Sequence, residues 1–187
     1  MDDILNAIIL GIIQGLTEFL PISSSGHLEI AEAILGENEN NKENMLMTIV
    51  LHFATALATI VIFHKDLKKI FSDLFLFNKG ESFNFSLKII ISMIPISFMG
   101  FLYKDQISSF FNGKLLLVSS MLLITGLLLL LADKKKICTN NIKKKDAILI
   151  GISQAIALLP GISRSGATIS TSIIFCLLYT SPSPRAS

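Results

Sequence analysis

Two polar turns, each set inside an apolar segment, constrain this chain more than any other feature. Residues 7–28 read AIILGIIQGLTEFLPISSSGHL, and residues 147–168 read AILIGISQAIALLPGISRSGAT. At a constant offset Ala7, Gly11, Gln14, Ser23, Ser25 and Gly26 meet Ala147, Gly151, Gln154, Ser163, Ser165 and Gly166. Pro21 meets Pro160 with a one-residue slip. Apolar helices resemble one another by chance, but a shared Gln, Pro and Ser-x-Ser-Gly does not arise that way. The chain therefore carries an internal repeat. Polar groups in an apolar setting are expensive to bury, so the two turns need a reason to be there.

The surroundings are membrane-like. Of 187 residues, 51% are hydrophobic and only 16% charged, which is more apolar surface than a soluble domain of this length needs. Three runs have about the length of a bilayer crossing: Met45–Phe63, Leu87–Tyr103 and Leu115–Leu131. His52, inside the first, reads as a hydrogen-bonded packing residue before a ligand. Residues 28–44 read as a surface helix followed by a loop, and Phe-rich 71–86 as an interfacial segment. Lysine clusters at 65–69 and 134–145 place those loops on the cytoplasmic side, with two spans between them. The N-terminus is not basic and no small-residue cleavage site follows it, so residues 4–20 read as membrane structure and not as a signal peptide.

Three spans, an odd number, separate the repeats. If each copy dips in and returns, the two enter from opposite faces and their turns meet near the midplane. Irregular backbone at that depth is tolerated only where it lines a protein cavity. The expected fold is all-α: a polytopic membrane protein with an inverted repeat and two re-entrant, broken-helix segments. Residues 1–176 form one membrane domain, with repeats starting at 4–28 and 147–168. Residues 177–187 bring Pro, Ser and Arg into a chain rich in Lys, Asn and Ile, and read as a non-native tail. Cys138 and Cys176 show no metal spacing or disulfide framework, so unpaired thiols are expected.

Together the turns hold a specific inventory. Arg164, the only arginine before the tail, can fork two hydrogen bonds to a phosphate. Ser163, Ser165, Ser23, Ser25 and the Gly166 amide are further phosphate-binding candidates. A structural ion pair between Arg164 and Glu18 is the bland alternative. A carboxylate beside a phosphate calls for a bridging cation, and Glu18 with Gln14, four residues apart on one helix face, suits Mg²⁺ or Ca²⁺. Ser24 and His27 are each candidate nucleophiles, and His27 a candidate acid or base. The sequence does not choose between them. Glu18, Ser24, His27 and Arg164 form the candidate catalytic set.

The motifs QGLTEFLPISSSGHL and PGISRSGATIS closely resemble the two signature regions of the undecaprenyl-diphosphate phosphatase, or bacitracin-resistance, family. The resemblance runs to about residue 175. It implies a multi-pass enzyme of the bacterial inner membrane that uses divalent cations. Such an enzyme hydrolyses undecaprenyl diphosphate to undecaprenyl phosphate and inorganic phosphate, recycling the lipid carrier of wall synthesis. It implies metal binding at Gln14 and Glu18 and catalysis through Ser24, His27 and Arg164. Gln14 stands where some members have Glu, and family chains continue through further helices beyond the second motif. The expected partners are a polyprenyl diphosphate and the bilayer, not nucleic acid; homo-oligomerisation is left open. The competing function is an inverted-repeat transporter or lipid flippase, which would not need the Ser/His/Arg constellation.

Overall fold

The computed structural model describes residues 2–36, 42–75, 81–110, 114–135 and 143–176. Within them the chain forms α1 (Asp2–Thr17), α2 (Ser24–Leu35), α3 (Lys42–Ile62), α4 (His64–Phe75), α5 (Glu81–Leu102), α6 (Lys104–Phe110), α7 (Leu115–Asp133), α8 (Lys144–Ile156) and α9 (Arg164–Ile174). No strand occurs among the described residues. The tail at 177–187 lies outside them.

The molecule is apolar outside and partly polar within. Leu116 and Phe101 are 87% and 86% exposed, along with much of the Ile, Leu and Phe of α1, α3 and α5. Gln14, Thr17, Ser23, Thr55, Ser92, Thr125, Ser163 and Ser170 are buried. In water that inversion would be ruinous. In lipid it is expected, because the bilayer solvates apolar side chains and helices associate through small residues and hydrogen bonds.

The apolar part of α5, Phe83–Leu102, and α7 are each long and apolar enough to cross a bilayer. Both expected spans are therefore present, and α5 runs through Pro95 without ending. The run at 45–63 becomes α3, followed by α4 at a bend of 76°. The segment expected at 71–86 is not one unit, because α4 reaches Phe75 and α5 starts at Glu81. α4 is the amphipathic piece: Lys65, Lys68 and Lys69 are exposed while Leu67 and Ile70 are half-buried. The surface helix expected from residue 28 onward is also corrected. α2 starts at Ser24 and buries Leu28 and Ala31 in a cluster with Leu10 of α1 and with Met47 and Leu51 of α3. Acidic composition suggested an outer surface, yet the Glu residues occupy one face only. The expectation of free thiols fails at Cys176, which is disulfide-bonded; sequence spacing is blind to such proximity. Cys138 lies outside the described residues.

α1 and α8 have 16 and 13 residues, about 24 and 20 Å of helix, short of a ~30 Å hydrocarbon core. Each stops at its polar turn, and α2 or α9 leads away from it. α8 lies tightly on α5, where Gly151 sits against the Ser92 carbonyl and Pro95 with no room for a Cβ.

Candidate functional site

The two turns are built alike. Ser23 Oγ accepts from Gly26 N at 3.4 Å, and Ser163 Oγ accepts from Gly166 N at 3.0 Å. Each serine is an N-cap, satisfying one of the orphan amides of a helix start. The Ser23–Ser25 and Ser163–Ser165 hydroxyl pairs lie at 3.4 and 3.1 Å. Each turn also locks the other. A Cβ on Gly26 would lie 3.0 Å from Gly161 Cα, and one on Gly166 would lie 2.6 Å from Pro21 O. Gly161 and Pro21 hold equivalent places in the two repeats, so the contacts are reciprocal. That is the mark of a pseudo-two-fold axis between the turns. Thr125 of α7 fixes the second turn: Oγ1 donates to Gly161 O and accepts from Ser163 N, both at 3.1 Å.

The turns differ in one respect. Ser163 is extended at φ −70°, whereas Ser23 sits at φ 71°. A side-chain-bearing residue there costs about 1–3 kcal/mol and persists only when its surroundings over-determine it. They do. The Ser23 carbonyl accepts from His27 N at 3.2 Å and from His27 Nδ1 at 2.8 Å. A carbonyl only accepts, so Nδ1 carries the ring proton.

Between the turns lies a cavity of about 930 Å³. Glu18, Ser23, Ser24 and Ser25 face it from the first turn, and Ser163, Arg164 and Ser165 from the second. Ser24 Oγ donates to Glu18 Oε2 at 2.5 Å, and Gln14 Nε2 donates to the same oxygen at 3.0 Å. Gln14 Nε2 also reaches Thr55 Oγ1 of α3 at 3.4 Å. Gln14 is 1% exposed, and its Oε1 is buried with no hydrogen-bond partner. Arg164 is exposed on the cavity wall and makes no ion pair with Glu18. Among the described residues its guanidinium has no hydrogen-bond or ion-pair partner.

The expected set is thus brought together in part. Glu18, Ser24 and Arg164 line one cavity. His27 does not line it; its ring is turned to its own capping turn. Ser23 and Ser163 line the cavity, but their hydroxyls serve as caps, and the Gly166 amide is already engaged. Among the described residues no group of three His, Cys, Asp or Glu side chains could hold a metal. Glu18 Oε1 and Gln14 Oε1 are the hard oxygens on offer.

One wall of the cavity lies outside the two sequence motifs. Glu29 and Glu32 of α2 and Thr48 and His52 of α3 also line the cavity. Thr48 Oγ1 donates to Glu32 Oε1 at 3.3 Å, joining the two helices. Helical spacing held the signal: Ser25, Glu29 and Glu32 share one face of α2, and Thr48, His52, Thr55 and Thr59 share one face of α3.

Residues 7–180 match the family described as Bacitracin resistance protein BacA. The undecaprenyl-diphosphatase of Christiangramia forsetii is 59% identical over 172 residues, covering 92% of this chain and 65% of the relative. That of Bacteroides fragilis is 47% identical over 169 residues, covering 90% and 63%. That of Thermosipho africanus is 44% identical over 166 residues, covering 88% and 65%. The chain spans a little under two thirds of the length of these curated relatives.

Proposed function

The chain belongs to the bacitracin resistance protein BacA family, and from that premise we propose that it is the core of an integral membrane phosphatase acting on a polyprenyl diphosphate. Undecaprenyl diphosphate, the substrate that its relatives' name implies, is the proposed substrate. Undecaprenyl phosphate and inorganic phosphate are the products. The lipid tail stays in the bilayer while the head enters the cavity. Regenerating the carrier lipid for wall synthesis in the bacterial inner membrane, and thereby resisting bacitracin, is the corresponding physiological role.

One observation carries this reading: a serine hydroxyl hydrogen-bonded to a carboxylate at 2.5 Å, in a cavity that also receives an unpaired arginine. A nucleophile, its base and an anion clamp are what phosphoryl transfer requires. In the first step Ser24 Oγ gives its proton to Glu18 and bonds to the terminal phosphorus. The bond from that phosphorus to the bridging oxygen breaks, and its electron pair leaves with the lipid phosphate. Glu18 then loses that proton to solvent, and in the second step water gives a proton to Glu18 and attacks the phosphoserine. The bond from phosphorus to Oγ breaks, Oγ recovers a proton from Glu18, and phosphate departs. Arg164 balances charge on the non-bridging oxygens throughout. Ser165, beside it, lines the cavity with its hydroxyl 3.1 Å from Ser163 Oγ and offers a further donor. His27 acts by position: two hydrogen bonds hold Ser23 in its strained turn and so aim Ser24.

A divalent cation, Mg²⁺ or Ca²⁺, fits two oxygens. Glu18 Oε2 takes both hydrogen bonds, leaving Oε1, and the buried Gln14 Oε1 is orphaned. Mg²⁺ characteristically uses one or two protein oxygens and fills its shell with water and substrate phosphate. Bound there, it would neutralise phosphate charge beside Glu18.

The inverted repeat alone would equally suit a transporter. The Ser24–Glu18 pair is what a transporter does not need. The test is phosphate release from a short-chain prenyl diphosphate in detergent, with and without EDTA. Release that depends on Ser24 supports the enzyme; phosphate-free turnover or transport would replace it.

A further inference from the structure

His52 sits one turn before Thr55 on the polar face of α3, and it lines the same cavity as the two turns. Its Nδ1 lies 2.8 Å from the Thr48 carbonyl. A carbonyl only accepts, so Nδ1–H is committed to the backbone and Nε2 is the nitrogen left for a ligand. A packing histidine would have both nitrogens satisfied within the protein. Here only Nδ1 has a partner among the described residues. The same face continues through Thr55 to Gln14 and so to Glu18, tying this wall to the reacting side. Intramembrane ionisable residues that face a cavity mark ligand paths.

We propose that His52 is a substrate-contacting residue whose Nε2 hydrogen-bonds the phosphate next to the lipid, the one that leaves with the polyprenyl chain. This rests on the diphosphatase reading above. A diphosphate needs two sets of donors. Arg164 and its neighbours serve the terminal phosphate on the second turn, and no other cationic side chain lines the cavity among the described residues. The leaving phosphate is a stable anion at neutral pH, so it needs a donor to hold it more than an acid to protonate it. A phosphate oxygen only accepts, so Nε2 is the donor in that contact. Both ring nitrogens then donate, one inward to Thr48 and one to the ligand.

Full-chain variants H52Q and H52N discriminate, because both keep a polar amide in the span. Gln places its amide nitrogen near the reach of Nε2; Asn is too short. Phosphate release from a prenyl diphosphate is expected to show KM raised roughly tenfold or more in H52N, with most of the change carried by KM and not kcat, and largely restored in H52Q. Titration with a methylene-bridged, non-hydrolysable prenyl diphosphate should show the same order of affinities. A prenyl monophosphonate, which lacks the second phosphate, should lose the same factor because it keeps the lipid-proximal group. Equal KM in wild type, H52Q and H52N, or equal loss in both variants, overturns the proposal. Should wild type bind the analogue yet release no phosphate, the diphosphatase reading fails, and the H52N-to-wild-type affinity ratio still decides the role of His52.

Discussion

Gly166→Ala strikes the contact that joins the two repeats. Its new Cβ would sit 2.6 Å from Pro21 O, 3.0 Å from Ser163 Cβ and 3.2 Å from Ser163 Oγ. The first is a backbone atom of the opposite turn and cannot swing away; the others belong to the cap of α9. Something must shift, and overpacking of this kind costs about 1–3 kcal/mol. Taking about 2 kcal/mol, thermal unfolding in detergent should fall by roughly 4–8 °C. The shift pushes Arg164, two residues away, from Ser24 on the other turn, so phosphate release should fall more than tenfold. Gly26→Ala is the milder partner. Its closest obstacles are Gly161 Cα at 3.0 Å and the Leu122 side chain at 3.1 Å, and the leucine can yield. Gly126→Ala in α7 is the control, since nothing lies within 4 Å of its Cβ. It should stabilise the helix by about 0.5–1 kcal/mol and leave release unchanged. If Gly166→Ala matched Gly126→Ala in both melting and release, the two turns would not be in contact, and the reciprocal packing would be wrong.

Four further outcomes are expected. Ser24→Ala should abolish phosphate release and Glu18→Gln should lower it roughly 10²–10⁴-fold, read by single-turnover release at saturating substrate, without change in melting. Arg164→Lys keeps the charge but loses the fork, so kcat/KM should drop roughly 10–100-fold while the fold persists; near-normal turnover would show that Arg164 is no phosphate clamp. EDTA should silence the wild type, and Gln14→Glu should lower the Mg²⁺ concentration needed for half-maximal activity in a metal titration, because a second carboxylate joins Glu18. Ser23→Gly and Ser163→Gly should diverge in thermal melts: the first loses a cap but relieves φ 71°, ending near neutral or slightly stabilised, whereas the second loses its cap with no strain to relieve and is destabilised.

Much of the architecture was legible from local pattern. A run such as Leu115–Leu131 has only one low-energy solution in a bilayer, a spanning helix, and α7 is that helix. The pairing of the two turns was legible because Ser-x-Ser-Gly recurs, and Ser23 and Ser163 cap α2 and α9 in the same way. The wall from α2 and α3 was harder to read. Glu29 and Glu32 sit in an acidic stretch that looked like outer surface, and His52 is a single polar residue in a span. Their spacing places them on one face each, but nothing in spacing says which face meets a cavity. The part played by His27 was open for the same reason: its ring can turn outward or back to Ser23 O, and only packing chose the latter.

By itself, then, the sequence determined the membrane setting, the repeat and the chemical types at each turn, because apolar length, capping residues and helical period act over a few residues. The tertiary structure decided which of those groups face one another. Ser24 reaches Glu18 because Ser23 is held in a left-handed conformation. Gln14 is buried because Thr55 arrives from another helix. Arg164 has no partner among the described residues, and it lines a cavity beside turns whose backbones touch at Gly26 and Gly166. Such relations depend on close approach between segments far apart in the chain, and close approach is a property of packing, not of pattern.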